Sequence, residues 1–467
     1  MNLSTYRGSG NYSKPLSALL AFAAVALALL PDAAQAIPAF NRQTGQNCVA
    51  CHAGGQFPEL TPYGRLFKLT GYTIGQRAVP ISAMVVAGMA RVANANPQGT
   101  AAQFDRNGET TLATASLLLG GKVTDNIGAF AQVTYDPHAV QVYALDSSGA
   151  PIPDANGNPI ITGYHGHSGA DNIDIRYADR FISDKQDLIF GVSANNNPSV
   201  SDVWNTAAAW MQYVPAPGVG GAQFTDANSP YPGYASGGNI AGLSAYAFWN
   251  QTIYAELGGY STSRGLTSFM SAGINSANTT KLRGINPYWR LAYNKQWGAH
   301  NLMIGTSGMV ARLYDPLVDG TIPDTGNPAD TSRHTDLAID AQYQYLLDPH
   351  AVTAQFVYTS NRSEYSPNSL SAVPSDTTHT TRAKVGYTYQ AKYGGALALF
   401  NLTGTSSGAS VATRGATLEA YWMPMQYMRF GAQYTRYSVF GGASNLYDGF
   451  RNAHDNNSLY LYTWFAY

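Results

Sequence analysis

Cys48 and Cys51 are the only cysteines among 467 residues, and His52 follows them directly, giving the spacing C-x-x-C-H. Two thiols at this separation can add across the two vinyl groups of one porphyrin, and the adjacent imidazole is then delivered to the iron. The pattern predicts one covalently attached haem c, with Cys48 and Cys51 as attachment points and His52 as proximal ligand. Two other chemistries use similar pieces. A thioredoxin-like dithiol opens a helix after a strand in an α/β unit, and no such unit follows here. A structural zinc site wants four ligands, and only three are nearby. With both cysteines in one motif, the chain has no disulfide framework.

The residues around the motif must position it. Thr61 can cap, and Pro62 can start, a short helix that runs through Arg65 and Phe67 and stops at Gly71. Phe57, Leu60, Leu66 and Phe67 would pack on the haem or form the small core of this segment. Arg65 and Lys68 are the cations available for a haem propionate, with solvent exposure the alternative for each. Residues 37–79 hold no methionine, and His52 is their one histidine. A sixth iron ligand of the usual kind therefore has to come from further along the chain. Met84 and Met89 are closest in sequence. Strict alternation puts them on opposite faces of a strand, and Arg91 shares a face with Met89, so Met89 is expected inside and Met84 is the alternative. For both, simple packing or lipid contact is the plainer reading.

The N-terminus indicates the compartment. Lys14 precedes an apolar run from Leu16 to Leu30, and Ala34-Gln35-Ala36 offers the small residues a signal peptidase needs. Residues 1–36 are expected to be a removed secretory signal, with the mature chain starting near Ile37. The run falls short of the ~20 residues a bilayer requires and is followed by Pro31 and Asp32. Only 12% of residues are charged, while there are 32 tyrosines and 47 glycines, a profile suited to many extended strands with aromatic girdles. A net charge of -1 argues against nucleic acid as a partner.

From residue 80 onward the dominant signal has a period of two. Leu337, Ile339, Ala341, Tyr343 and Tyr345 alternate with Asp336, Asp340, Gln342 and Gln344. The same split recurs over residues 172–180 and 382–392. About sixteen strands are expected, beginning near residues 81, 109, 126, 171, 186, 239, 251, 286, 300, 334, 351, 380, 396, 414, 426 and 457. Links after even-numbered strands are short, among them Ser183-Asp184-Lys185, Asn250-Gln251, Gly394-Gly395 and Pro424-Met425. Links after odd-numbered strands are mostly long, such as 137–170 and 195–237. That rhythm belongs to an outer-membrane barrel with tight periplasmic turns and long external loops. Leu459, Leu461, Phe465 and Tyr467 share one face of the last strand. The expected architecture is all-β: an outer-membrane antiparallel β-barrel of about 16 strands over 80–467, with the haem segment of 37–79 acting as a lumen plug entering from the periplasmic side.

Two further stretches carry weaker signals. His165-Gly166-His167 with Asp171 could hold a metal from an external loop, although a solvated Gly-rich loop is the plainer reading. Ser201 to Tyr213 can form a short helix carrying Trp204 and Trp210, which would fold into the barrel mouth over the haem pocket. No Ser/His/Asp set, phosphate loop or paired carboxylates stand out.

"IPAFNRQTGQNCVACH", "FPELTPYGRLFKLTGY" and "NNNPSVSDVWNT" resemble the fused monohaem cytochrome-porins of the outer membrane, the family that includes the outer-membrane iron-oxidising cytochromes. The likeness covers the haem segment closely and the barrel mainly through its layout. Tyr63 stands where that family usually has Phe. The resemblance implies haem attachment at Cys48 and Cys51, ligation by His52, oxidation of extracellular Fe(II) or another reductant, and electron delivery to a soluble periplasmic cytochrome. Two other readings keep the same architecture: a solute porin with a structural or sensory haem plug, and electron export to external acceptors.

Overall fold

The computed structural model describes residues 39–55, 59–94, 107–153, 160–206, 239–271, 281–318, 320–447, 449 and 451–466. The expected signal segment, Phe57, Trp210 and Tyr467 lie outside the described residues. Sixteen long strands form one antiparallel sheet in chain order: β1 Ile81–Val92, β2 Thr110–Lys122, β3 Ile127–Tyr143, β4 Ile161–Ser183, β5 Gln186–Asn195, β6 Ile240–Trp249, β7 Ile253–Thr262, β8 Asn286–Trp297, β9 His300–Tyr314, β10 Thr331–Leu347, β11 His350–Glu364, β12 Ser375–Tyr389, β13 Tyr393–Ser406, β14 Thr413–Met425, β15 Met428–Val439 and β16 Ser458–Ala466. A two-residue ladder at Ala409–Ser410 extends β13 at a loop. The ring closes where β1 pairs with β16, from Met84↔Ala466 to Val92↔Ser458. A closed ring leaves no strand edge unpaired, which is what a lipid environment demands of strands.

The two faces of the wall differ as the alternation predicts. Leu243, Leu257, Leu291, Ile339 and Leu418 point outward and are exposed, Leu257 by 70%. Asp174, Arg176, Glu256, Arg290, Glu419 and Arg429 point inward and are buried. An apolar exterior around a polar interior inverts the pattern of a water-soluble protein and defines a membrane-spanning barrel. At one end the links are short, at 184–185, 250–252, 298–299 and 348–349 among others; at the other they run through 144–160, 196–239, 263–285 and 440–457. Asn250 and Gln251 both have positive φ, at 49° and 52°, as a tight hairpin link requires.

Several boundaries move from their expected places. β4 begins at Ile161 rather than near 171, and β12 at Ser375 rather than near 380. The turn expected at Gly394-Gly395 lies at 390–392, where Gln390 and Ala391 take positive φ, and the next turn sits at 426–427 rather than at Pro424-Met425. The tyrosines also do more than girdle the outside. Tyr246, Tyr260, Tyr421, Tyr460 and Tyr462 point inward, and their rings lie where a side chain on Gly191, Gly242, Gly394, Gly88 and Gly431 would be. Each ring covers a glycine of a neighbouring strand, the arrangement by which aromatic residues restore packing at glycine positions in sheets.

Three helices fill part of the lumen ahead of β1: α1 Ala39–Thr44, α2 Cys48–Cys51 and α3 Pro62–Leu69. From the long-loop end, a single-turn helix α4, Pro198–Ser201, and the residues after it reach inward. Of the helix expected over 201–213, residues 207–213 lie outside the described residues; over the described part, helix α4 ends at Ser201 and begins where Asn197 caps Ser199 N, with Pro198 in the first turn.

Candidate functional site

The two thiols are set one helical turn apart on α2, and His52 N closes that turn on Cys48 O at 2.8 Å. Thr61 builds the next element. Its hydroxyl accepts from Gly64 N at 3.1 Å, capping α3 as expected, while its own amide donates to Cys51 O at 2.9 Å. The helix stops where Gly71 takes φ +70°, also as expected. α3 lies so close to α2 that a Cβ on Gly64 would meet Cys51 O at 2.2 Å. His52 pairs with Leu60 in an antiparallel bridge, and Ala53 N donates to Glu59 O at 2.8 Å.

Neither thiol is in a disulfide, and both cysteines are half-buried. Burial raises both thiols, Cys51 to about 11 with Cys48 adding to the rise. Burial also pushes the His52 imidazole down to about 4, so the ring is uncharged near neutrality, the form that binds metal. Adjacent thiols held free of each other beside a neutral imidazole fit the donor set that a covalent haem takes from a protein.

The barrel wall locates this turn at the short-turn end of the lumen. Cys48 N donates to Gln426 Oε1 at 3.3 Å, in the link between β14 and β15. A Cβ on Gly54 would lie 2.6 Å from Thr388 Oγ1, one residue from the end of β12. Met423 of β14, inward and 2% exposed, has its methyl group 3.9 Å from where a Gly55 Cβ would be.

Further anchors hold the plug across the lumen. Arg65 Nη1 donates to Leu60 O at 2.7 Å and Gln344 Oε1 at 3.0 Å, and Nη2 to Asn301 Oδ1 at 2.6 Å. Lys68 Nζ donates to Asp202 O at 2.8 Å. Tyr246 OH donates to Leu69 O at 2.7 Å, and Tyr72 OH to Asp174 Oδ2 at 2.5 Å. The solvent-exposed alternative for Arg65 and Lys68 is therefore wrong: both are buried. Burial lowers Arg65 to about 9, with Asp202 opposing, and its guanidinium donates to amide oxygens of the plug and wall.

A segment from the long-loop end packs inside the barrel as well. Trp204, 1% exposed, stands edge-on to Tyr254 at 5.3 Å and Phe248 at 6.1 Å. Asp202 turns this segment by accepting from Trp204 N and Thr206 N, each at 3.0 Å, and binds Arg290 Nε at 3.2 Å. Arg290 also holds Asp340 of β10 at 2.7 Å.

Other sequence candidates part from this site. On β1, Ser82, Met84, Val86 and Val92 are buried inward, whereas Met89 and Arg91 lie on the outward face. The expected orientation is reversed because Arg91 sits beside Leu459 at the long-loop end of the strand, where a charge can face outward. Met84 is the inward methionine of that strand. His165 and His167 lie within β4 rather than in a loop and are exposed, and among the described residues no group of three His, Cys, Asp or Glu could hold a metal ion. Met423, Gln426 and Lys384 carried no local signal: each meets the motif or its flank through contacts between distant parts of the chain.

No family model and no curated protein matches this chain. Similar solved structures include an OmpF porin of Salmonella typhi in complex with daunomycin, at 11% identity, covering 83% of this chain and 97% of that one with a TM-score of 0.42. An anion-selective porin from Comamonas acidovorans is 8% identical, with 84% and 99% covered and a TM-score of 0.41. OprB of Pseudomonas putida is 11% identical, with 83% and 93% covered and a TM-score of 0.45.

Proposed function

We propose that this chain is an outer-membrane electron conduit, in which a haem c on Cys48 and Cys51, ligated by His52, passes single electrons from an extracellular donor, most simply Fe(II), to a soluble periplasmic cytochrome. It is the reading that the resemblance to cytochrome-porins implies. The observation that carries it is the placement of the C-x-x-C-H turn inside the barrel at its short-turn end, fastened to Gln426. A bound haem c supplies one-electron exchange at iron. The protein supplies the rest: Cys48 and Cys51 fix position, His52 offers a neutral nitrogen, and the wall keeps lipid from the redox site. Short turns mark the periplasmic end of such barrels, so a carrier in the periplasm would meet the motif there.

Contact between the plug and the long-loop segment across the lumen favours a conduit over an open solute pore. Helix α3 from one end and the Asp202–Trp204 segment from the other meet through Lys68. Stopped-flow absorbance of detergent-purified protein mixed with Fe(II), alongside ion conductance in planar bilayers, separates the readings. Fast haem reduction with little conductance is expected. A haem that stays oxidised under Fe(II), in a barrel that conducts ions freely, would overturn the proposal in favour of a solute porin.

A further inference from the structure

We infer that Glu59 and Lys384, by pairing beside the His52 segment, keep each other's buried charge from shifting the midpoint potential of the haem; this rests on the haem reading above. Glu59 closes the short loop that follows His52. Its carbonyl accepts from Ala53 N at 2.8 Å, and the next residue, Leu60, is bridged to His52. The backbone thus ties this carboxylate to the residues flanking the imidazole.

The side chain turns to the wall, where Oε1 receives Lys384 Nζ of β12. Glu59 is 2% exposed and Lys384 3% exposed. Glu59 Oε2 makes no hydrogen bond among the described residues. A cavity bounded by Ala53, Glu59, Thr353, Lys384 and Thr388 opens beside the pair. Away from water, a charge acts on its neighbours far more strongly than at a surface.

Anchoring alone does not explain a full ion pair here. Cys48, Arg65, Lys68 and Leu69 are held to the wall and the long-loop segment through neutral partner groups, and Tyr72 meets Asp174 with a neutral hydroxyl. In the other buried pairs, Asp174–Arg176, Asp202–Arg290, Asp340–Arg290 and Glu419–Arg429, both charges belong to the wall or the long-loop segment. Among the described residues, Glu59 and Lys384 form the one ion pair between plug and wall. A lone carboxylate at this place would favour the ferric, more positive state of the iron, and a lone ammonium the ferrous state. Paired, they cancel.

The test is spectroelectrochemical titration of the full-length, haem-loaded protein in detergent. Lys384→Gln, which leaves the carboxylate unbalanced, lowers the midpoint potential; Glu59→Gln, which leaves the ammonium, raises it. Each changes the ferric-to-ferrous ratio at fixed potential by about tenfold, and the double variant returns close to wild type. Shifts of the same sign in both single variants, or no shift with an intact haem spectrum, overturn the inference. A wild-type preparation with no covalent haem overturns the haem reading instead. Should either glutamine variant fail to assemble, Lys384→Arg is the control: it keeps the charge and holds the wild-type potential, and a shift there as large as in Lys384→Gln would overturn charge as the cause.

Discussion

Lys68 Nζ lies 2.8 Å from the main-chain oxygen of Asp202, a bond that joins a helix near the N-terminus to a segment reaching down from the opposite mouth of the barrel. Burial, followed by the nearby Arg176 charge, lowers this lysine to about 8, against opposing pulls from Asp174, Asp202 and Glu256. An unfolded lysine titrates near ~10.4. Between those values the unfolded chain binds more protons than the folded one, so stability rises with pH across that window and is level below it. Unfolding midpoints in urea at pH 7.5 and pH 10 are expected to show this rise in wild type and a flatter response in Lys68→Met. Equal slopes in both proteins would assign the pH dependence to other groups.

Gly64 has no room for a methyl group, since the Cys51 carbonyl occupies the place. Gly64→Ala therefore forces α3 away from the C-x-x-C turn while leaving the barrel strands untouched. Covalent haem per barrel, read as pyridine haemochrome against protein, is expected to fall several-fold. Unchanged haem content would mean that the contact between α2 and α3 plays no part in presenting the thiols.

Arg290 is shared by Asp202 and Asp340. Arg290→Met leaves two buried carboxylates without their cation and is expected to cost about 3–5 kcal/mol of unfolding free energy. Adding Asp340→Asn to that variant recovers part of the loss. Denaturant titrations of the single and double variants provide the measurement, and a neutral Arg290→Met would contradict a dry lumen at this level.

Met89 faces outward. Met89→Leu is expected to leave the optical spectrum and midpoint potential of the haem unchanged. A shifted spectrum would require β1 to slip by one residue, because a single-residue slip exchanges the two faces of a strand.

The strands were legible because a bilayer imposes one rule on every residue of the wall. Leu337 and Ile339 face out while Asp336 and Asp340 face in, as their alternation requires. Misplacements arose where that rule relaxes. At the tip of β3 and β4 the ladder continues past the belt, so the glycines and histidines of 163–167 read as loop but pair as strand, with register shifts at Asp136/Val140 and Val142/Tyr143. Arg91 misled for the same reason, being a charge at a strand end. Within the site, C-x-x-C-H and the Thr61 cap are local and could be read directly. The partners that hold them are not: Gln426, Gln344 and Lys384 are far along the chain, and only barrel closure brings them near.

The bond from Cys48 to Gln426 spans 378 positions. A turn near the start of the barrel's sequence is thus fastened to a link near its end. A haem lyase would need the thiols while the chain is still open, since the finished cylinder encloses them on all sides but the mouth. On the proposed haem reading, attachment at the N-terminal turn would then precede closure of the barrel around it.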